Sequence, residues 1–437
     1  AMNASAQAVS VDLGSGNAND GLGGTDTLIS IEQVRATGGS DTLIGGNGSE
    51  LLRGNAGNDS IDGGAVSADV ADYRNATTGI TVNMATRVVQ DGQGGNDTLA
   101  GIEQIWGSTF NDSMLGGTGS DFFVGSSGAD TFAGGSGIDS VSYALNPANS
   151  TTATQGVSVN LTTGAGRDGY GGVDSLSGIE VITGSSLADT ILGNRSGSRF
   201  LGDAGNDSLS VGIGTNTLDG GAGNDTLSSG VGNDSIVGGS DRDLLDYSDI
   251  GGSVSVFIGA LRNGEGNASG AGGNDTFTGI EDVSTGSGND SVKGDLLANN
   301  LSGGEGNDTL LGDGGDDTLT GDTGNDSLNG GSGTDHFIFN TALGTANVDR
   351  IQSYSATDDT ILLDDAIFTA LGSPGALAAG AFKAGAAATD ADDRIIYNAT
   401  TGALFYDQDG NGATAAVQFA TLTSITGTIT HADFLII

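Results

Sequence analysis

Four runs of a strict nine-residue period constrain this chain more than any other feature of its 437 residues. The first run places Asp41, Glu50 and Asp59 in register, and the second Asp112, Asp121, Asp130 and Asp139. The third holds Asp189, Ser198, Asp207, Asn216, Asp225, Asp234 and Asp243, and the fourth Asp290, Asn299, Asp308, Asp317, Asp326 and Asp335. Two residues past each of these twenty positions stands a large apolar side chain, from Leu43, Leu52 and Ile61 through to Leu319, Leu328 and Phe337. In a chain that is 36% hydrophobic, chance would produce that coincidence roughly once in 10⁹ trials. The composition by itself matches a disordered chain, with 81 Gly and a formal charge of −42. A disordered segment has no reason to hold an apolar residue at a fixed offset, so the spacing argues for a fold.

The units read G-G-x-G-x-D-x-U-x, where U is apolar, as in GGAGNDTLS (220–228) and GGEGNDTLL (303–311). The x-U-x triplet predicts a short strand whose central side chain turns inward, because successive side chains in a strand face opposite ways. Glycine supplies tight turns through positive φ and leaves main-chain carbonyls uncovered. Two nonapeptides then form one coil, and Asp residues eighteen apart stack on one edge: 41/59, 112/130, 121/139, 189/207, 207/225, 225/243, 290/308, 308/326 and 317/335. Like charges at that spacing need a counter-charge, and 13 Lys and Arg cannot match 55 Asp and Glu. Calcium takes six to eight hard oxygens, carboxylate or carbonyl, at ~2.3–2.6 Å, which is what such turns offer. The ligands expected are Asp41, Asp59, Asp112, Asp121, Asp130, Asp139, Asp189, Asp207, Asp225, Asp234, Asp243, Asp290, Asp308, Asp317, Asp326 and Asp335. Asn216 and Asn299 keep an oxygen without the charge, and the Ser198 unit carries Arg195 and Arg199, so metal is expected to be weak or absent there.

Repeated in this way, the motif resembles the RTX family of Gram-negative secreted proteins over nearly the whole chain. The resemblance implies an all-β fold, a right-handed parallel β-roll or β-solenoid with multiple calcium ions, closed by a C-terminal β-rich cap. It also implies export by a type I secretion exporter that reads an uncleaved C-terminal signal, and folding outside the cell. The expected location is therefore secreted, extracellular or on the surface of a Gram-negative bacterium. No basic stretch followed by an apolar run opens the chain, and no apolar run of eighteen residues occurs, so neither an N-terminal signal nor a transmembrane helix is expected.

Between the runs lie four related longer segments. Each begins with alternating apolar residues: VSVDL (9–13), ITVNM (80–84), VSVNL (157–161) and SVSVFI (253–258). Each continues through GGTDTL (23–28), GGNDTL (94–99), GGVDSL (171–176) or GGNDTF (272–277) to an Ile-Glu pair. The alternation predicts strands of the same solenoid in wider, calcium-poorer coils. Tyr73, Tyr143 and Tyr247 recur ahead of the later copies and are expected to pack. The organisation expected is a first long repeat (1–64), a second (65–139), a third with the longest run (140–243), a fourth (244–335), and a cap with the secretion region (336–437) in which no nonapeptides remain. Inside the cap, Asp407-Gln-Asp-Gly-Asn-Gly412 matches half of an EF-hand loop, with Gln418 where Glu is needed. A hairpin turn and a further calcium site are both open there.

Catalytic patterns are missing. The chain has two histidines, His336 and His431, with no HExxH, no GxSxG and no Asp-Pro, and no Cys for thiolate chemistry. Solvated carboxylates without basic neighbours are poor general acids or bases, so no enzyme is expected on this chain. A charge of −42 excludes nucleic acid and disfavours anionic membrane surfaces. The partners expected are calcium, the exporter, and either further copies of the chain or a cell-surface polysaccharide. A surface or matrix component such as an S-layer protein, or the folding module of a larger exoenzyme, would both suit this sequence.

Overall fold

A computed structural model describes residues 7–65, 68–144, 153–193, 197–259 and 265–437. Contacts group the chain into two compact units, Ala1–Val211 with Asp219–Ala222, and Gly212–Leu218 with Gly223–Ile437. Both are built from strands of mostly three to six residues joined by glycine turns.

In the first unit one face is wholly parallel. Gln33–Arg35, Leu51–Arg53, Val70–Asp72, Gln104–Trp106, Phe122–Val124, Ser140–Ser142, Val181–Thr183 and Arg199–Ala204 pair in that order. The opposite face holds parallel pairs such as Thr42–Ile44 with Ser60–Asp62 and Ser113–Leu115 with Thr131–Ala133. In the second unit, Thr226–Ser228, Leu244–Asp246, Asp282–Ser284, Asn300–Ser302, Thr318–Thr320, His336–Phe339, Thr360–Leu363 and Phe434–Ile436 make one parallel face. Facing it are Val254–Ile258, Ser291–Lys293, Thr309–Gly314, Ser327–Ser332, Asp349–Gln352 and Val417–Thr423, also parallel. The architecture is the parallel β-roll expected from the period.

The core is the row of apolar residues at the centre of each triplet. All twenty of the expected positions are 0–1% exposed. Burying one such side chain contributes ~1.5–3 kcal/mol, so a two-residue rule repeated twenty times supplies the interior without a conventional core.

The longer segments depart from the wider coils expected. Each is a three-stranded antiparallel meander. In the second copy Thr81–Asn83, Val88–Gln90 and Asn96–Ala100 pair in turn, with the middle strand antiparallel to both neighbours. The last strand lies parallel to Ser60–Asp62 of the preceding run and the first lies parallel to Ser113–Leu115 of the next. The cause is local turn chemistry. Asn83 Oδ1 accepts the Thr86 N–H at 2.9 Å, and Asp91 Oδ1 accepts those of Gln93 and Gly95 at 2.8 Å, closing side-chain turns that reverse the chain. Asp12 and Asp20 do the same in the first copy, and Asn160 and Asp168 in the third. Alternation alone cannot tell a coil from a hairpin.

The cap adds a meander of Ile395–Asn398, Ala403–Tyr406 and Val417–Thr423. Phe419 sits edge-on to Phe339 and Phe368 at 5.1 and 5.2 Å between ring centres. The EF-hand-like stretch at 407–412 joins two antiparallel strands of this meander, where Asp409 Oδ2 accepts the Ala413 and Thr414 N–H groups at 3.0 and 3.1 Å.

Candidate metal centres

Each nonapeptide turn presents its Asp to the turn one coil before it. Asp308 shows the pattern. Its Oδ1 accepts the Asp290 N–H at 2.7 Å, its own N–H donates to Asp326 Oδ1 at 2.7 Å, and its carbonyl accepts the Ser327 N–H at 2.8 Å. The same bond links Asp41 to Asp59, Asp112 to Asp130, Asp121 to Asp139, Asp189 to Asp207, Asp225 to Asp243 and Asp317 to Asp335, at 2.8–3.0 Å. Asn216 and Asn299 donate in the same way to Asp234 and Asp317. All sixteen expected ligands are buried, none more than 7% exposed.

The second carboxylate oxygen sorts these residues. In Asp59, Asp130, Asp139, Asp234, Asp243, Asp290, Asp308, Asp317, Asp326 and Asp335, Oδ2 is buried with no hydrogen-bond partner. In Asp41, Asp112 and Asp189, which open the first three runs, it is satisfied from four residues earlier. Thr37, Ser108 and Ser185 each donate a backbone N–H to Oδ2, at 2.8, 2.7 and 2.5 Å, and a hydroxyl to the same carboxylate. Asp121 Oδ2 accepts the Gly117 N–H at 2.7 Å. Arg195 lies outside the described residues, and Arg199 is exposed.

An unpaired buried carboxylate oxygen is costly, and its electrostatics show it here. Burial, with neighbouring carboxylates adding to it, pushes Asp59, Asp243, Asp308 and Asp317 up to about 7, and Asp130 up to about 9. Among the described residues no Lys or Arg pairs with them. The described ion pairs are Arg53 and Arg74 with Asp72, Arg242 with Asp282 and Lys293 with Asp313, and none engages an unpaired Oδ2. Among the described residues no three His, Asp or Glu side chains converge as a metal site. A cation here would take one or two carboxylates and complete its shell with main-chain carbonyls.

The glycine five residues before the Asp makes room for that carboxylate. A Cβ at Gly125, Gly312 or Gly330 would fall on Oδ2 of Asp130, Asp317 or Asp335. The third glycine of the motif is as constrained. Gly306 and Gly324 have φ of +148° and +149°, and a Cβ on either would fall on the carbonyl of Gly288 or Gly306, positions that other residues rarely occupy. Hard, unpaired oxygens beside bare carbonyls suit calcium.

The ladder also runs where the nine-residue register stops. Asp59 donates its N–H to Asp97 Oδ1, Asp130 to Asp174 and Asp234 to Asp275, at 2.8–2.9 Å. Glu50 donates to Asp69 Oδ1, and Asp69, Asp139 and Asp243 donate to Glu103, Glu180 and Glu281. At three of these positions a recurrent tyrosine partners the second carboxylate oxygen. Tyr73, Tyr143 and Tyr247 donate their hydroxyls to Oδ2 of Asp97, Asp174 and Asp275, at 3.0, 3.0 and 2.5 Å. Beyond Asp335, where the array was expected to end, Asp326 and Asp335 donate N–H groups to Asp349 and Asp359. These members escaped the nine-residue register because insertions change their spacing. The rule of an acid followed two residues later by an apolar residue still marks them, as Leu99, Ile105, Ile351 and Ile361.

Comparison with known families agrees with this geometry. A family model described as RTX calcium-binding nonapeptide repeat (4 copies) matches residues 35–66, 106–141, 183–218, 210–245, 276–310 and 302–337. The protein is thus a calcium-binding β-roll built on nonapeptide turns. More particularly, it is an RTX-type calcium-binding protein, with several calcium ions as its cofactors. No curated protein matches the chain.

Proposed function

We propose that the chain is an extracellular structural or adhesive component, of a surface layer or matrix, whose folding waits for calcium after export through a type I exporter. The observation that carries this is the set of ten buried, unpartnered Oδ2 atoms. A fold that places so many unpaired charges inside itself depends on an external cation. When bound, calcium supplies the positive charge and a coordination shell that bridges neighbouring turns. The chain's own part is to present one Asp per turn, held by the N–H of the turn before it, and to clear carbonyls with glycine.

Extracellular calcium modules bind at ~10⁻⁴–10⁻³ M, so the repeats would remain unfolded where calcium is scarce and fold by mass action where it is abundant. Among the described residues no helix is long and apolar enough to cross a membrane. The Asp residues of the ladder accept main-chain N–H groups from neighbouring turns, which supports a structural role.

Electron microscopy of the purified chain tests the structural role. Ordered sheets or filaments that form with millimolar calcium and disperse on chelation are the expected result. Isolated particles at every calcium and protein concentration would instead favour a folding module serving a larger exoenzyme.

A further inference from the structure

Residues 344–352, Gly-Thr-Ala-Asn-Val-Asp-Arg-Ile-Gln, lie past the matched nonapeptides yet form one more turn of the array. Gly344 stands five residues before Asp349, as the first glycine stands to Asp in a nonapeptide. Ile351, two residues after it, is fully buried. The strand Asp349–Gln352 pairs in parallel with Ser327–Ser332 on one side and with Val417–Thr423 of the cap on the other. Asp326 donates its N–H to Asp349 Oδ1 at 3.0 Å, and Gly324 donates to Asn347 Oδ1 at 2.9 Å.

Both acids are interior, Asp326 at 1% and Asp349 at 4% exposure, and Asp326 Oδ2 has no partner. The two carboxyl groups come within hydrogen-bonding range of each other, and Asp308 and Asp322 add negative charge around them. Two carboxylates have no proton to share when both are ionised, so this contact needs either a proton or a cation between them. The other ladder ends differently. There Asp359 Oδ2 accepts the Ser355 N–H at 2.8 Å, as Asp41, Asp112 and Asp189 are closed by their own turns. One end of the array is open to a cation and the other is shut.

We propose that Asp326 and Asp349 together hold a calcium ion that fastens the cap to the last nonapeptide coil, so that docking of the cap is itself calcium-dependent. The inference rests on the calcium reading of the nonapeptides and adds a site outside them. Asp349 belongs to the strand that carries Val417–Thr423, and loosening it frees that edge of the cap.

Native mass spectrometry of the full chain in calcium, with hydrogen exchange over 417–423, tests the proposal. The Asp349→Asn variant keeps the acceptor for the Asp326 N–H and removes the charge, as Asn299 does within the ladder. It is expected to bind one calcium fewer and to require several-fold more calcium before the 417–423 amides are protected. Asp359→Asn, at the closed end, is expected to bind the wild-type number. A wild-type count in Asp349→Asn, with unchanged protection, overturns the proposal, and so does the loss of an ion in Asp359→Asn alone. Failure of the broader calcium reading would look different, since the wild-type chain would then bind no calcium at all.

Discussion

Removing calcium at neutral pH should unfold the second unit, and lowering the pH should partly restore it. The carboxylates of Asp225 and Asp243, Asp290 and Asp308, Asp308 and Asp326, and Asp317 and Asp335 are linked turn to turn. Strands in a ladder lie ~4.8 Å apart. At an effective dielectric of 20, two charges ~5 Å apart repel by ~3 kcal/mol. Four such pairs come to ~12 kcal/mol, against a typical domain stability of ~5–15 kcal/mol. Protonation relieves this. Asp243, Asp308 and Asp317 are raised from 3.8 to about 7. Between these values the folded, metal-free state binds more protons than the unfolded chain, so its stability is greatest below about pH 4 and falls as pH rises through about 7. Calcium reverses the sign, because protons then compete with the metal for the same oxygens. Far-ultraviolet circular dichroism of metal-stripped protein should show little β-structure at pH 7.5 and a partial return at pH 5. In millimolar calcium the β signal should be strong at pH 7.5 and need more calcium at pH 5. A metal-free β spectrum at pH 7.5 equal to the calcium-loaded one would refute the reasoning.

Further substitutions separate the contributions. Gly312→Ala drives a Cβ into Asp317 Oδ2, so it should weaken calcium binding and cost ~1–3 kcal/mol by overpacking; Gly385→Ala, whose Cβ meets nothing closer than 3.8 Å, should leave calorimetric Tm and calcium titration unchanged. Leu310→Ala empties a position that is 0% exposed and should cost ~2–5 kcal/mol in denaturant unfolding with calcium present, while Thr309→Ala, facing solvent, should stay within ~0.5 kcal/mol. Tyr247→Phe removes the hydroxyl that Asp275 Oδ2 accepts at 2.5 Å. It should cost ~1–3 kcal/mol without changing the number of calcium ions bound, and a lost ion would show that Asp275 is itself a metal ligand.

The period of nine, the apolar residue two places after each acid and the glycine spacing were enough to specify a parallel roll with one Asp per turn. Strand side chains alternate and the turn needs positive φ, so these are local requirements written residue by residue. The array's continuation was only partly legible. Asp97, Asp174, Asp275, Asp349 and Asp359 keep the acid-to-apolar offset, but insertions break the spacing that made the register visible. Tyr73, Tyr143 and Tyr247 read as packing residues, and their hydroxyls reach acids 24, 31 and 28 positions away, a distance no local pattern encodes.

What the sequence by itself determined is therefore the repeat, its inward row and its demand for cations. Tertiary structure alone decided which carboxylates still need one. Asp41 and Asp59 look alike along the chain, yet Asp41 takes a hydroxyl and an N–H from Thr37 while Asp59 keeps an unpaired Oδ2. The same holds for the meanders, which a run of alternating residues cannot distinguish from coils. The physical reason is common to both. A hydrogen bond or a metal bond is completed by whatever the neighbouring coil brings within ~3 Å, and stacking sets that neighbour across eighteen to forty-six residues of chain.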